Sequence, residues 1–218
     1  MKPVKAIEKE MEKKDFRKEL KHLYDPSAKD FSIVDVPPMR YLMIDGSGNP
    51  NVSKEYKEAI ETLYAVSYTL KFASKKELGK DYAVPPLEGL WWADDMSLFA
   101  KGSKDKWRWT MMIMQPEWIT PAMIAKAIET VRVKKPVPAL SLLREEVLKE
   151  GRSAQIMHLG SYDDEVPVLA RLHNEYLPQN GLVFNGKHHE IYISDPRKTA
   201  PNKLKTVLRQ PVKARPSR

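Results

Sequence analysis

The sequence contains no cysteine. That absence excludes a disulfide framework, a thiolate metal site and a thiol nucleophile. No apolar run approaches the roughly 18 residues of a membrane span. The opening Met1-Lys2-Pro3-Val4-Lys5 runs into charge instead of the apolar stretch of a signal peptide. A cytoplasmic protein without a membrane partner is therefore expected. Gly46-Ser47-Gly48 lacks the Lys-Ser/Thr ending of a phosphate loop, and no serine stands in a nucleophile-elbow context. His188 and His189 are adjacent, so in a strand they point to opposite faces and cannot share a metal; no other His or carboxylate grouping has zinc-ligand spacing. No metal and no cofactor are expected.

What is present is charge, and large polarisable side chains. The 218 residues carry a formal charge of +8, and much of the surplus lies at the ends, from Lys2 to Lys21 and from Arg197 to Arg218. Acidic residues interrupt the first of these stretches (Glu8, Glu10, Glu12, Asp15 and Glu19), so solubility explains the balance better than phosphate binding. Nucleic acid is not the expected partner, because the tryptophans fall in expected strand cores and not along a basic groove. Hydrophobic residues make up 42%, and five Trp, nine Tyr and ten Met are a generous supply for one domain or two fused modules.

Along the chain, residues 1 to about 30 read as a charged amphipathic arm. Phe31 to Val36 alternates up to Pro37-Pro38, and Arg40 to Ile44 reads as a buried strand ended by Asp45-Gly46. Ser53 is placed to cap a long helix in which Tyr56, Ile60, Leu63, Tyr64, Ser67 and Leu70 share a face. Strands follow at Leu87–Trp92 and Trp107–Met114, with a hairpin loop over 101–106. Thr120-Pro121 opens a helix, and a second helix is expected over about 139–150, with Gly151 as its left-handed C-cap. A strand at 153–160, a shorter helix around Leu169–Tyr176, a strand at 188–196 and a last strand at 204–208 complete the order.

This order is strand, helix, strand, strand, twice. Met43-Ile44-Asp45-Gly46-Ser47 aligns with Met157-His158-Leu159-Gly160-Ser161, Glu88 before Trp91-Trp92 with Glu190 before Tyr192, and Gln115-Pro116 with Gln210-Pro211. The expected class is α+β: two tandem strand-helix-strand-strand modules with pseudo-two-fold symmetry around a central ligand cleft. The expected domain is 31–212. Its first repeat is about 31–116, connecting helices are 117–151, and the second repeat is about 152–212. A basic tail covers 213–218.

Four of the five tryptophans (Trp91, Trp92, Trp107 and Trp109) fall on two adjoining strands. Trp107, Trp109 and Met111 share one face by alternation. Such a stripe is either core or the wall of a site for flat ligands. Tyr64 and Tyr68 either close such a cleft from the helix or pack against the sheet. Alternation also puts His188, Glu190 and Tyr192 on one face. A mid-strand carboxylate is costly to bury unless paired. Glu190 is thus either an ion-pair partner across the sheet or a group of raised pKa suited to a general base or a cation partner. Tyr192 would donate to a substrate or wall the pocket. Glu88 holds the matching place in the first repeat and is a second candidate carboxylate.

Four segments, Pro86 to Trp92, Lys106 to Thr110, His189 to Pro196 and Lys203 to Val212, resemble the gyrase-inhibitor-like (GyrI-like) family over roughly residues 20–212. The resemblance implies two tandem modules. It also implies binding of bulky, flat, often cationic molecules between aromatic side chains, with a buried Glu facing the ligand. Some family members are similar but catalytic, hydrolysing cyclopropane-bearing DNA-alkylating toxins. On that basis Glu190 and Tyr192 are the expected catalytic pair. Trp91, Trp92, Trp107, Trp109, Met111, Glu88, Tyr64, Tyr68 and His188 are the expected ligand contacts. The first 30 residues are too few for the winged module of a regulator, so a stand-alone form is expected, monomeric or homodimeric. Pure binding or sequestration, or ligand sensing beside a transcriptional partner, needs nearly the same residues as hydrolysis.

Overall fold

The computed structural model describes residues 12–93 and 104–216. The strands are β1 (Lys13–Lys14), β2 (Ser32–Val36), β3 (Met39–Ser47), β4 (Asp81–Tyr82), β5 (Leu87–Trp92), β6 (Arg108–Gln115), β7 (Arg144–Leu148), β8 (Gly151–Leu159), β9 (Leu182–Phe184), β10 (His188–Tyr192) and β11 (Lys205–Ala214). The helices are α1 (Phe16–Glu19), α2 (Lys21–Tyr24), α3 (Lys54–Ala73), α4 (Pro121–Lys134), α5 (Glu165–Arg171) and α6 (Leu177–Gln179). One α+β domain results. Its nine-stranded sheet has the order β2-β8-β11-β10-β5-β6-β3-β7, with β9 on the far end of β11 and every pairing antiparallel.

Local chemistry explains the main elements. From Trp109 to Gln115, β6 is buried on both faces, which is why its apolar run is continuous instead of alternating. The Ser53 hydroxyl accepts the Tyr56 N–H at 3.1 Å and starts α3. Ala59, Leu63, Val66 and Leu70 recur at helical spacing and are fully buried. Thr120 caps α4 through the Met123 N–H, with Pro121 in the first turn, where its missing N–H costs nothing.

Register decides which side chains meet. Across β10, β5 and β6, Glu190 stands opposite Gly89 and Gly89 opposite Met111, while His188, Trp91 and Trp109 form the neighbouring row. Side chains alternate, so these rows and Tyr192 share the face that α3 covers on one side and α5 on the other. Glu88, Leu90, His189 and Ile191 take the reverse face, under α1 and α2.

Three expectations are corrected. No helix runs over 139–150. Pro138–Leu142 is a single 3-10 turn and β7 follows, pairing with β3 so that Arg40 meets Val147 and Leu42 meets Glu145. Leu, Arg and Glu favour helix, but the open edge of β3 supplies backbone partners that override propensity. Gly151 is left-handed as expected, at φ 70°, yet it turns β7 into β8 instead of capping a helix. Residues 12–30 are not an arm. Phe16, Leu23 and Tyr24 are buried, and Leu23 and Tyr24 pack on the reverse face with Met157, Ile191 and Val207. The last strand does not stop at 208 or at Gln210-Pro211, because β9 pairs with its extension through Ala214. A tail beginning at 213 therefore starts two residues too early. Half of the loop expected over 101–106, residues 101–103, lies outside the described residues, with residues 1–11 of the arm and 217–218 of the tail; Lys104–Lys106 is a 3-10 turn.

Candidate functional site

Between α3 and α5, over the central strands β5 and β10, lies a cavity of about 1470 Å³. Its floor is a hydrogen-bonded chain. The Trp91 indole N–H donates to the Tyr192 hydroxyl at 3.0 Å, and that hydroxyl donates to Glu190 Oε2 at 2.8 Å. Burial and the Glu190 charge push the Tyr192 phenol well above its ordinary value, so it stays protonated and a donor. Burial also raises the Glu190 carboxyl, with the Tyr192 hydrogen bond opposing it. Above them, the first residue of α5 turns inward. Glu165 is 4% exposed, and burial together with the Glu190 charge raises its carboxyl far above the carboxylate range. Two carboxyl groups in one dry site cannot both ionise cheaply, so the pair holds a proton at neutral pH, with Glu165 the stronger holder.

The aromatic walls come from separate elements. Tyr56 of α3 meets Trp109 edge-on at 5.2 Å and Trp91 at 6.1 Å. Trp107 meets Trp91 at 5.7 Å, and Tyr162 meets Tyr192 edge-on at 5.7 Å. Tyr64 and Tyr68 stack at 6.2 Å at the α3 side. Lys104 reaches over the Trp107 ring and pairs with Asp163 at 3.0 Å.

Gly89 makes the floor possible. A Cβ there would sit 2.8 Å from Trp91 Nε1 and 3.2 Å from the Tyr192 hydroxyl oxygen. Gly89→Ala is therefore expected to displace the indole, break the Trp91–Tyr192 hydrogen bond and cost about 1–3 kcal/mol as local overpacking. A changed tryptophan emission spectrum in the folded variant checks this, and an emission identical to the parent protein would contradict it.

Of the residues singled out from sequence, the cavity is lined by Trp91, Trp107, Tyr64, Tyr68, His188, Glu190 and Tyr192. Four others lie off it, two of them on the reverse face. Trp109 and Met111 are fully buried, Trp109 beneath Gly46 and Met111 beneath Gly89, so both support the floor without lining it. Trp92 lies on the reverse face under the Lys187 ammonium, 3.3 Å from its ring centre. Glu88 is on that face too, 1% exposed. It accepts from Tyr24 at 3.2 Å and Tyr41 at 3.1 Å, and it faces His189 Nε2 at 2.9 Å. His189 Nδ1 faces Glu150 at 2.9 Å, and Arg209 donates to Glu150, Gln155 and the Leu23 carbonyl. The matched positions of the repeat carry different duties because the register puts Glu88 and Glu190 on opposite faces.

Sequence reasoning missed Glu165, Tyr56, Tyr162 and His173 in the cavity. Glu165 follows Asp163-Asp164 and precedes Val166-Pro167, so it reads as an ordinary acid at a helix start. Tyr56 was legible as part of the apolar face of α3 and no further. Among the described residues, no group of three or more His, Asp or Glu has the geometry to hold a metal. No helix among them is long and apolar enough to cross a membrane.

Comparison with known proteins adds the family. The model of the GyrI-like small molecule binding domain matches residues 29–213. The chain belongs to that family. An uncharacterized conserved protein from Listeria innocua is 40% identical, with a TM-score of 0.85 over 92% of this chain and 100% of that one. A hydrolase from the same organism, encoded by lin2189, is 38% identical with a TM-score of 0.81, covering 93% of this chain and 100% of that one. The C-terminal domain of EcmrR shares the fold alone, at 10% identity and a TM-score of 0.54 over 85% of this GyrI-like chain and 98% of that one. The curated proteins contain no match.

Proposed function

We propose that the cavity binds bulky, flat aromatic molecules, cationic ones included, with Glu190 as the polar anchor of its floor. The observation that carries this reading is a carboxyl group set into aromatic walls and held by Tyr192, inside a volume fit for a drug-sized ligand. A cation between these rings gains from their faces and from the Glu190 charge together. In this reading the halves 31–116 and 152–214 act as two modules around the cleft. The strand order β8-β11-β10 beside β5-β6-β3 supports such a pseudo-two-fold relation.

A second reading is hydrolysis of a cyclopropane conjugated to a dienone. It is favoured by the raised pKa of Glu190 beside the proton-holding Glu165 and by likeness to a Listeria hydrolase. Water oxygen would bond to the strained carbon as Glu190 takes its proton. The ring C–C bond would break, and its electron pair would become a phenolate, protonated in turn to the phenol. Relief of ring strain makes the step downhill, so positioning supplies much of the catalysis.

Titration of the protein with ethidium, read by quenching of tryptophan emission, tests binding. Glu190→Gln is expected to weaken it roughly tenfold or more, by loss of a buried charge partner. Equal affinity in the two proteins would remove Glu190 as anchor. Multiple-turnover incubation with a cyclopropane-bearing alkylator, read by product mass, separates the two readings. Many equivalents of water-added product mean hydrolysis; toxin released unchanged means binding alone.

A further inference from the structure

Two carboxyl groups meet in the cavity with no cation to answer them. Glu190 sits in the floor, its side chain 14% exposed, with Oε2 taken by the Tyr192 hydroxyl at 2.8 Å. Glu165 reaches in from α5, buried, within hydrogen-bonding distance of Glu190 and of the Thr206 hydroxyl. Among the described residues, the one ion-pairing neighbour of either carboxyl is His188, 3.6 Å from Glu190. Burial, with His173 and His189 nearby, keeps that ring neutral. The other titratable groups around the pair do not take its place. Tyr56 of α3, Tyr162 of the roof and Tyr192 are protonated phenols. Lys104 is paired with Asp163 at 3.0 Å, and His189 lies on the reverse face between Glu88 and Glu150. The flanking strands present no titratable side chain on this face, only Gly89 and Trp91 on β5, and Thr206 and Leu208 on β11.

An ionised carboxylate in so dry a site is costly without a cation, so a proton takes the cation's place. Burial lifts the Glu190 carboxyl to about 7 and, with the Glu190 charge, holds Glu165 higher still. A ligand with a fixed positive charge shifts this balance, because it favours the ionised form of the group it meets. Glu190 is that group, since its side chain keeps surface in the cavity while Glu165 is buried. We propose that the free protein carries a proton on Glu190 that a cationic aromatic ligand displaces into solvent, while Glu165 keeps its own proton and donates a hydrogen bond to the carboxylate so formed. The Glu190 O–H bond breaks, the proton passes to water, and one positive charge replaces another. Glu165 is thus a positioning residue. This rests on the cavity being the ligand site. It adds a linkage that aromatic stacking alone does not impose: cations bind more tightly as pH rises through about 7, and neutral ligands of the same shape are indifferent to pH.

A matched pair of probes tests it: 10-methylacridinium, a permanent cation, and 9-methylanthracene, which has the same shape without the charge. Both are titrated against the full chain at pH 6 and pH 8.5, with tryptophan quenching as the readout. Affinity for the cation is expected to rise about tenfold across that interval, and affinity for the neutral probe to stay constant. Calorimetric titration of the cation at pH 6, in cacodylate and in bis-Tris, counts the protons released, since the two buffers differ in ionisation enthalpy. Release of about one proton per cation bound is expected. In Glu190→Gln both the release and the pH dependence are expected to vanish. Glu165→Gln keeps a donor and is expected to keep the parent profile. Glu165→Leu loses the donor, so its rise in cation affinity is expected about one pH unit higher. Circular dichroism confirms folding of each variant. Affinities flat with pH and no proton release, with both probes bound, overturn the exchange and leave the aromatic cavity standing, as does a release that survives in folded Glu190→Gln. An unmoved profile in folded Glu165→Leu removes Glu165 from the proposal. If neither probe binds the parent protein, the ligand reading of the cavity fails and the exchange fails with it.

Discussion

His189→Leu is expected to destabilise the protein by about 3–5 kcal/mol, because it leaves Glu88 and Glu150 buried without the cation between them. Burial works against a charged His189 ring, but Glu150 at Nδ1 and Glu88 at Nε2 outweigh it and lift its pKa from 6.5 to about 9. The displacement corresponds to roughly 3 kcal/mol. Its sign is that of a raised base. The contribution is complete below pH 6.5 and is lost as pH rises through about 9. Burial likewise opposes a charged Glu150, yet His189 and Arg209 hold it at about 2 against an ordinary 4.5. That contribution is complete above pH 4.5 and is lost as pH falls through about 2. The network therefore stabilises most fully between pH 4.5 and 6.5. Urea midpoints at pH 6 and pH 9.5 check this, since the parent protein should lose stability across the interval and His189→Leu should lose much less. Parallel losses in the two proteins would show that the ring is not charged in the fold.

Gly46→Ala is expected to cost about 3 kcal/mol or more for a different reason. A Cβ at this position falls 2.1 Å from Cη2 and 2.3 Å from Cζ2 of Trp109, a ring with no exposure. That ring is flanked by Tyr56 at 5.2 Å, so neither it nor the β3 backbone moves away without breaking other packing. In a chain of this size the loss lowers the melting temperature by roughly 2–4 °C per kcal/mol. The double variant Gly46→Ala/Trp109→Leu is expected to be more stable than the sum of its two single losses, because the smaller side chain vacates the contested space. Additive losses would mean that Trp109 is not what the new methyl group strikes.

Much of this was legible along the chain because it depends on neighbours in sequence. Caps at Ser53 and Thr120 follow from a hydroxyl three residues before its N–H partner. The shared face of His188, Glu190 and Tyr192 follows from strand alternation, and the opposition of His188 and His189 follows from the same rule. Where partners lie far apart in sequence, the local signal misled. The stretch 144–148 has helical composition and became a strand because β3 offered an unpaired edge. Glu88 matched Glu190 in the repeat, yet a register that sets Gly89 opposite Glu190 turned the two carboxylates to opposite faces.

By itself, then, the amino-acid sequence determined the α+β class, the strand that carries Glu190 and Tyr192, and an aromatic supply sufficient for a pocket. All of these rest on periodicity and composition within a few residues. Only the tertiary structure decided that Glu165 joins Glu190 under one roof, that Trp107 lines the cavity while Trp109 supports it, and that His189 is locked between two carboxylates 39 and 101 residues away. Those outcomes depend on how distant strands register and which face a helix presents. No local pattern encodes such choices, because burial and electrostatics act on the assembled sheet.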